Sequence, residues 1–583
     1  VSYFNDLTRS LFAGNISVDS VGKQYNVVNI LSVNNKNIQK VKESLSEKDG
    51  FSFDIQSMNS AIANHLSNDF NYIGLACGLI VFFFLWLSFG NLELALLSFI
   101  PMAVSWIWIL GIMALFGMEF NIVNIILATF IFGQGDDYTI FMTEGSMYEY
   151  AYRRRMLASY KHSIIISALI MFIGIGTLIV ARHPALHSLA EVTIAGMFSV
   201  VLMAYIFPPL IFNFLVKSGD KYRIRPLSIK NLAVMGFCAI VFFIQLFIVY
   251  VLGFILLELL PFSERKRAWL RRYQQRLFLF DLRHIPYVKF RIEGLTENTL
   301  TSSSIIVSNH QSMLDAAAFM AMSPKTILIS NEKVSYNPVI RHIYKWNGFI
   351  TLAGKDSIDD ELMKKYIKRG YSFVIFPEGK RNDNSSICRF HKGAFLLAER
   401  YQLDILPVII HGLNVVLPRN SFQVFPGNIT IKVYMRISVE GQQSYNELTS
   451  LVYDFYKCEY KALTRELETA VYYVPLVKDR YRYKGVDSYR NVCKNLKHND
   501  NYTKWIDTED VHPVVIVKNS GYGEFALLYA LVHRSTQVFV FEQDENIASM
   551  LTYCAKDIVD NLEVIDNMDI DKEKYPEAKV FSL

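Results

Sequence analysis

Cysteine is scarce and scattered in this 583-residue chain. Cys77, Cys238, Cys388, Cys458, Cys493 and Cys554 lie far apart with no C-x-x-C pair. That argues against a disulfide framework and against a zinc or other metal site, and it suits a cytoplasmic soluble part. Charge of either sign is in small excess: 59 Lys and Arg stand against 54 Asp and Glu, a net +5. Nucleic acid is therefore a poor partner. The chain opens on Val1 with neither Met nor a signal peptide, so it reads as an internal piece of a longer protein. Apolar residues are what it has in quantity: 52% are hydrophobic and 14% aromatic. They concentrate before residue 260, and the remainder has ordinary globular composition.

A membrane crossing needs roughly 20 apolar residues. The sequence offers spans at 72–89, 93–115, 120–143, 163–182 and 188–216. Arg153, Arg154, Arg155 and Lys161 follow the third span, and Lys217, Lys221, Arg223 and Arg225 follow the fifth. The positive-inside tendency puts both basic segments in the cytoplasm and residues 1–70 outside it. The apolar stretch 231–260 has basic flanks on both sides, so the expectation is a shallow helical hairpin broken near Gln245 or Gly253, with a single extra span as the alternative. The basic segment Arg265–Arg276 is expected to lie on anionic lipid headgroups.

Two motifs carry chemistry in the soluble part. The first is Ser308-Asn309-His310-Gln311-Ser312-Met313-Leu314-Asp315. An aspartate five places after a histidine can hold one imidazole nitrogen and leave the other as a general base. The second, Phe376-Pro377-Glu378-Gly379-Lys380-Arg381, offers an acid, a close-approach glycine and paired cations suited to an anionic substrate. Strands are expected at 303–308, 372–376, 403–410 and 429–434, with a helix over 316–320 that places Asp315 at its N-terminus. Reactive groups at strand ends suit an α/β sheet. The third span holds Gly133-Gln134-Gly135-Asp136-Asp137-Tyr138. Two carboxylates in an apolar helix cost about 3 kcal/mol each even on the cheaper insertion scales. They form either a proton relay or a wetted interface.

Together with Phe390-His391-Lys392-Gly393-Ala394 and Leu406-Pro407-Val408, the two soluble motifs resemble the lysophosphatidic acid acyltransferase family over about 200 residues. The resemblance implies acyl transfer to a hydroxyl from acyl-CoA or an acylated carrier protein, with no further cofactor. His310 and Asp315 would be catalytic, and Asn309, Glu378, Gly379, Lys380, Arg381 and Lys392 would bind substrate, Glu378 by orienting the acceptor or else by holding the loop. Lys380 stands where that family commonly has threonine. Gly348-Phe349-Ile350-Thr351-Leu352-Ala353 lacks the family's arginine, a place Lys355 could take. These departures bear on the acceptor's identity.

Gly133, Asp137 and Tyr138 resemble the resistance–nodulation–division superfamily, in particular its mycobacterial membrane protein large branch. That implies proton-driven lipid export, with Asp136, Asp137 and Tyr138 as the relay. Such transporters have two pseudo-equivalent halves, and this chain holds one; the other is expected before Val1 as a partner. After residue 471, a strand at 514–518, glycines Gly521 and Gly523, a second strand ending at Glu542 and a strand at 562–565 resemble the front half of a class I methyltransferase. That implies an S-adenosylmethionine site on Gly521, Gly523 and Glu542. Lys518 and Asn519 replace the usual acid and the segment ends early, so active methyl transfer is disfavoured.

The expected architecture is multidomain: an α-helical transmembrane bundle, an α/β glycerolipid acyltransferase domain and a partial Rossmann-like α/β segment. The boundaries run 1–70 (end of an extracytoplasmic domain), 71–217 (five spans), 218–261 (linker with hairpin or extra span), 262–470 (acyltransferase) and 471–583 (connector and Rossmann-like segment). The order resembles bacterial trifunctional fusion proteins. It implies a multi-pass protein of the bacterial inner membrane that acts on membrane lipids, with the acyltransferase domain on the cytoplasmic side. The rival expectation is a lipid transporter whose acyltransferase domain only binds lipid.

Overall fold

The computed structural model describes residues 16–19, 24–27, scattered positions up to 72, and 75–583 apart from 119–121, 332–337, 353–358, 383–385, 420, 422, 440–443, 499, 519–520, 566–574, 576 and 583. Most of the 1–70 region, and Lys355, lie outside the described residues. Strands Ile16–Asp19 and Gln24–Val27 pair antiparallel there.

Five apolar helices follow: α1 (Leu75–Phe89), α2 (Leu92–Phe116), α3 (Ile122–Tyr152), α4 (Leu157–Gly176, extended by a 3-10 turn over Thr177–Val180) and α5 (Pro184–Val216). Asn91 caps α2 by accepting from the Glu93 amide, and Gly117 ends it in the left-handed region. Helix α5 packs against α2, α3 and α4. Small residues permit the close approach: a Cβ on Gly196 would lie 2.7 Å from Ile131 Cδ1, and one on Gly135 would lie 2.9 Å from Val200 Cγ1. Helix α3 runs well past the expected end at 143. Met147 and Tyr150 keep packing, on Leu85, Phe89 and Leu94 from α1 and α2, so nothing ends the helix there. Among the described residues, four helices are long and apolar enough to cross a membrane: Leu92–Phe116, Leu157–Val180, Pro184–Val216 and Ile229–Leu259.

The last of these corrects the expected hairpin. Helix α6 (Ile229–Phe254) continues through a π turn at Ile255–Leu259 as one unbroken element. Gln245 does not break it, because its amide Nε2 donates to Asp281 Oδ1 of the next helix, α7 (Glu264–His284), at 2.9 Å. Gly253 does not break it either. Its missing side chain makes room for Trp346, whose Cε3 would lie 2.5 Å from a Cβ there. Both ends of α6 rest on the same α/β domain. At the start the Ser228 amide donates to Gln423 Oε1. At the end Glu258 accepts from Lys345 Nζ and Trp346 Nε1. The helix lies along that domain, and Phe237, Ile240, Phe243, Ile244 and Phe247 on its outer face are exposed.

The α/β domain is a seven-stranded sheet. Its strands are β1 (Val288–Glu293), β2 (Ile305–Ser308), β3 (Thr326–Asn331), β4 (Ile350–Leu352), β5 (Ser372–Ile375), β6 (Ile405–His411) and β7 (Gly427–Val433). The order is β1-β7-β6-β2-β5-β3-β4, parallel except where β7 meets β6. Every residue of β2 and β6 is buried, as expected of parallel strands covered on both faces. One face is covered by α7 and α8 (Asp315–Met322), the other by α9 (Tyr445–Leu467). Helix α9 opens on a capping box between Ser444 and Glu447.

The C-terminal segment begins with α10 (Ala470–Tyr481) and ends in a four-stranded parallel sheet. Its strands are β8 (Val514–Lys518), β9 (Gln537–Phe541), β10 (Leu562–Ile565) and β11 (Lys579–Ser582), in the order β10-β9-β8-β11. Strand β11 was not legible in the sequence. Helices α11 (Glu524–Val532) and α12 (Glu545–Ala555) follow β8 and β9. Helix α12 reaches the end of α3: Arg154 Nη2 meets Glu545 Oε2 at 2.7 Å, and Ser549 donates to the Tyr152 carbonyl.

Lys484 is buried at this junction, 2% exposed, with Nζ 3.1 Å from Cys554 Sγ. Burial pushes its ammonium from 10.5 down to about 8. Between pH 8 and 10.5 the unfolded chain therefore holds a proton that the folded chain has released, so this group makes stability rise with pH in that window. In denaturant melts of detergent-solubilised protein, wild type should gain stability relative to Lys484→Met from pH 8 to 10. A pH-independent difference would refute this.

Candidate functional site

The site stands at the C-terminal end of β2. Buried Asn309 is the first residue beyond the strand, and it joins β2 to β6: its Nδ2 donates to the Ile410 carbonyl and its Oδ1 accepts the Ile410 amide, each at 2.8 Å. These bonds engage its Oδ1 and one Nδ2 proton with the scaffold. Tyr456 on α9 reinforces the same joint, donating to the Val307 carbonyl and accepting from the Val408 amide. One turn on, the Tyr460 hydroxyl accepts from Gln311 Nε2 at 2.9 Å. The only sequence sign of these two anchors is their i, i+4 spacing on one helix.

With Asn309 fixed, the chain turns and Asp315 opens α8, fully buried. Its Oδ2 accepts from the Gln311 amide at 2.7 Å and the Ser312 amide at 2.9 Å, and lies 2.6 Å from His310 Nδ1. An acceptor in that place assigns the proton to Nδ1 and leaves Nε2 with a lone pair. The ring stacks on Phe376 with centroids 4.4 Å apart, and the side chain stays 25% exposed. It is held, oriented and open on one edge.

The second motif meets the first through Glu378. Its Oε1 accepts the His310 amide and its Oε2 the Cys388 amide, both at 3.0 Å, while the Asn382 amide donates to the His310 carbonyl at 2.8 Å. Glu378 is buried, and burial raises its carboxyl's pKa against the pull of those two amides. Both its oxygens are engaged with backbone, so it ties the two loops together. Gly379 turns with φ +68°, a left-handed value, and the His391 ring stands close: a Cβ there would lie 3.0 Å from its Cδ2. Lys380 is exposed and Arg381 half-buried, and neither makes an ion pair or hydrogen bond with a described residue. Lys392 is exposed with Nζ 5.9 Å from the Tyr445 ring. The fold therefore brings His310, Asp315, Glu378 and Gly379 together, with Arg381 on the same loop.

The other two expected sites are separate. On α3, Asp136 is buried, Asp137 faces outward, and buried Tyr138 has its hydroxyl 3.1 Å from Ser167 Oγ of α4. In the C-terminal segment Gly521 and Gly523 follow β8 with φ of +63° and +83°, and Glu542 follows the neighbouring strand β9. The turn is already occupied by a carboxylate. Buried Glu524 accepts the Tyr522 amide at 3.0 Å and Asn495 Nδ2 at 2.7 Å. Glu542 accepts the Asp544 amide. Among the described residues no group of His, Cys, Asp and Glu is arranged to hold a metal.

A partly exposed histidine held by a buried aspartate at the end of a largely parallel sheet, beside a turn whose Lys380 and Arg381 pair with no described residue, defines the site of this α/β domain. Residues 289–411 match the Acyltransferase family model, and residues 37–226 match that of the MMPL family. A 1-acyl-sn-glycerol-3-phosphate acyltransferase of Cocos nucifera is 26% identical over 167 residues, 26% of this chain and 52% of the relative. A chloroplastic one of Brassica napus is 30% identical over 142 residues (23% and 41%), and the human beta form 29% over 170 residues (28% and 61%). The chain thus spans about half the length of the curated relatives it matches. The crystal structure of the 1-acyl-sn-glycerophosphate acyltransferase PlsC from Thermotoga maritima aligns with a TM-score of 0.35 at 20% identity, covering 40% of this chain and 97% of that one.

Proposed function

We propose that this chain is a membrane-bound O-acyltransferase moving an acyl group from a thioester, acyl-CoA or acyl carrier protein, to the hydroxyl of a lysophospholipid. The observation that carries the reading is His310, held at Nδ1 by Asp315 with Nε2 open, beside Arg381, which pairs with no described residue. The acceptor hydroxyl gives its proton to Nε2 as its oxygen attacks the thioester carbonyl. The tetrahedral intermediate expels the thiolate, which takes the proton back from the imidazolium. An ester and a free thiol result, with no acyl-enzyme. Arg381 binds the acceptor phosphate through charge-assisted hydrogen bonds, and Lys380 and Lys392 add positive potential.

Helix α6 supports a membrane-surface placement. Both its ends rest on one domain, so its apolar outer face lies in the plane of the bilayer and both basic flanks stay on one side. We place that side in the cytoplasm of a bacterial cell, where acyl thioesters are made. The decisive assay measures thiol release by the detergent-solubilised chain with a panel of lysolipids. Acceptor-dependent release should be largest with phosphomonoester acceptors, and a chain that binds lysolipid but releases no thiol sinks the proposal.

A second reading has its own support. Outward-facing Asp137, on a half-bundle matching the MMPL family, suits contact with a second transporter half and proton-driven lipid export. For the C-terminal segment, S-adenosylmethionine is the ligand implied by Gly521, Gly523 and Glu542. The Glu524 carboxylate in the glycine turn and the engagement of Glu542 with its own loop speak against it. A calorimetric titration should give no binding heat, and a saturable signal would restore the cofactor site.

A further inference from the structure

Helix α7 bears Arg265, Lys266, Arg267, Arg271, Arg272 and Arg276, and its cations divide between two environments. Arg272 and Arg276 are exposed, whereas Arg271 turns inward and is 4% exposed. All three of its guanidinium nitrogens are buried without a hydrogen-bond partner, and no other arginine among the described residues has all three nitrogens so buried and unpartnered. Gln274, one turn further, is also buried and its Oε1 is unpartnered. Both line a small cleft with Ser323, Thr326, Asn347 and Phe349, whose volume of about 10 Å³ admits a single water-sized oxygen.

A buried guanidinium cannot shed its proton, so leaving it unpaired costs several kcal/mol. Its surroundings do little to offset this. The Tyr371 ring lies 4.8 Å away and supplies a cation–π contact. Glu264, the acid nearest along the helix, is already shared by Arg369 at 2.9 Å, Arg267 at 3.8 Å and Lys365 at 4.0 Å. Local charge is thus strongly positive. Burial lowers the Arg271 pKa, in keeping with a cation short of partners.

The cleft is not part of the His310 site. Thr326 begins β3, and Asn347 and Phe349 precede β4, whereas His310 follows the end of β2. These strands run parallel in register, with Thr326 opposite Ser372 and Ile305 opposite Phe373. The cleft therefore opens at the opposite edge of the sheet. It adjoins Trp346, on which the end of apolar α6 is seated.

We propose that this cleft is a phosphate site in which one phosphate oxygen enters and accepts from the Arg271 guanidinium, the rest of the group standing at the mouth. The Gln274 amide, turned to present Nε2, donates to the same oxygen. The neighbouring apolar helix makes a phospholipid headgroup the expected source, and free phosphate offers the same chemistry. The site is independent of acyl transfer at His310.

The test is thermal unfolding of the delipidated full chain in detergent. Its arms add phosphatidylglycerol, inorganic phosphate matched in ionic strength to chloride, or uncharged diacylglycerol. Wild type should be stabilised by phosphatidylglycerol over diacylglycerol, since a ligand bound only to the folded state raises its stability. Arg271→Met should melt higher than wild type without ligand and respond to neither phosphate source. Arg272→Gln, altering an exposed neighbour, should respond as wild type. If Arg271→Met fails to fold, Arg271→Lys keeps the charge without the guanidinium and should bind at least tenfold more weakly. A full response to inorganic phosphate alone supports the site with free phosphate as its source. Equal shifts in wild type and Arg271→Met, or none in wild type, would overturn the proposal and leave a water-filled cleft.

Discussion

His310→Ala should lower the rate of acyl transfer by about 10²–10⁴-fold, the usual contribution of a positioned general base, with little change in stability. The ring is partly exposed and its side-chain hydrogen bond is to Asp315, so removal leaves no cavity in the main core. Asp315→Asn should approach the same loss by another route. Asp315 Oδ2 accepts from two backbone amides as well as His310, and an asparagine oxygen can still serve those amides. That oxygen still meets Nδ1–H, but without the carboxylate charge it stabilises the imidazolium far less. The measurement is initial-rate thiol release at saturating donor and acceptor, beside a denaturant melt. Turnover unchanged in His310→Ala would remove the dyad from the mechanism.

Glu378→Ala should cost about 2–6 kcal/mol of stability together with most of the activity. Two amides, of His310 and Cys388, lose their acceptor, and each unsatisfied donor costs about 1–3 kcal/mol where water cannot replace it. His310 itself then keeps the Asn382 amide on its carbonyl and Asp315 on its ring. The expected signature is a fall in kcat with a lowered melting point. Glu378→Gln should lie between, since its oxygen can serve one amide while its NH2 faces the other. Arg381→Ala supplies the contrast: a raised acceptor KM, a largely preserved kcat and an unchanged melt. Should Glu378→Ala melt like wild type and raise only the acceptor KM, Glu378 contacts the acceptor directly and the brace is refuted.

The difference between Glu378 and Arg381 shows where sequence reading stops. Both stand in one hexapeptide, and residue type alone makes both plausible substrate contacts. Only the spatial meeting of the 376–381 turn with the backbone of His310 commits the glutamate to the scaffold. Asn309 is the same case: its position beside His310 reads as a site residue, yet its partner is Ile410, a long way along the chain. Helix α6 errs for a related reason. Gln245 and Gly253 look like breaks in a long apolar run, because nothing in that run announces Asp281 or Trp346 as the groups they accommodate.

What the sequence determined by itself is the part governed by local chemistry. Runs of β-branched and apolar residues specify β2, β5, β6 and β7. Apolar length specifies the membrane helices, and the five-residue interval from His310 to Asp315 is short enough for one turn to close. What only the tertiary structure decided is which polar groups face a substrate and which are spent on the frame. Burial demands that each buried donor and acceptor find a partner. Those partners, for Asn309, Glu378 and Gln245, come from elements distant in sequence. Arg271, buried without one, is visible as an exception only after the others have been paired.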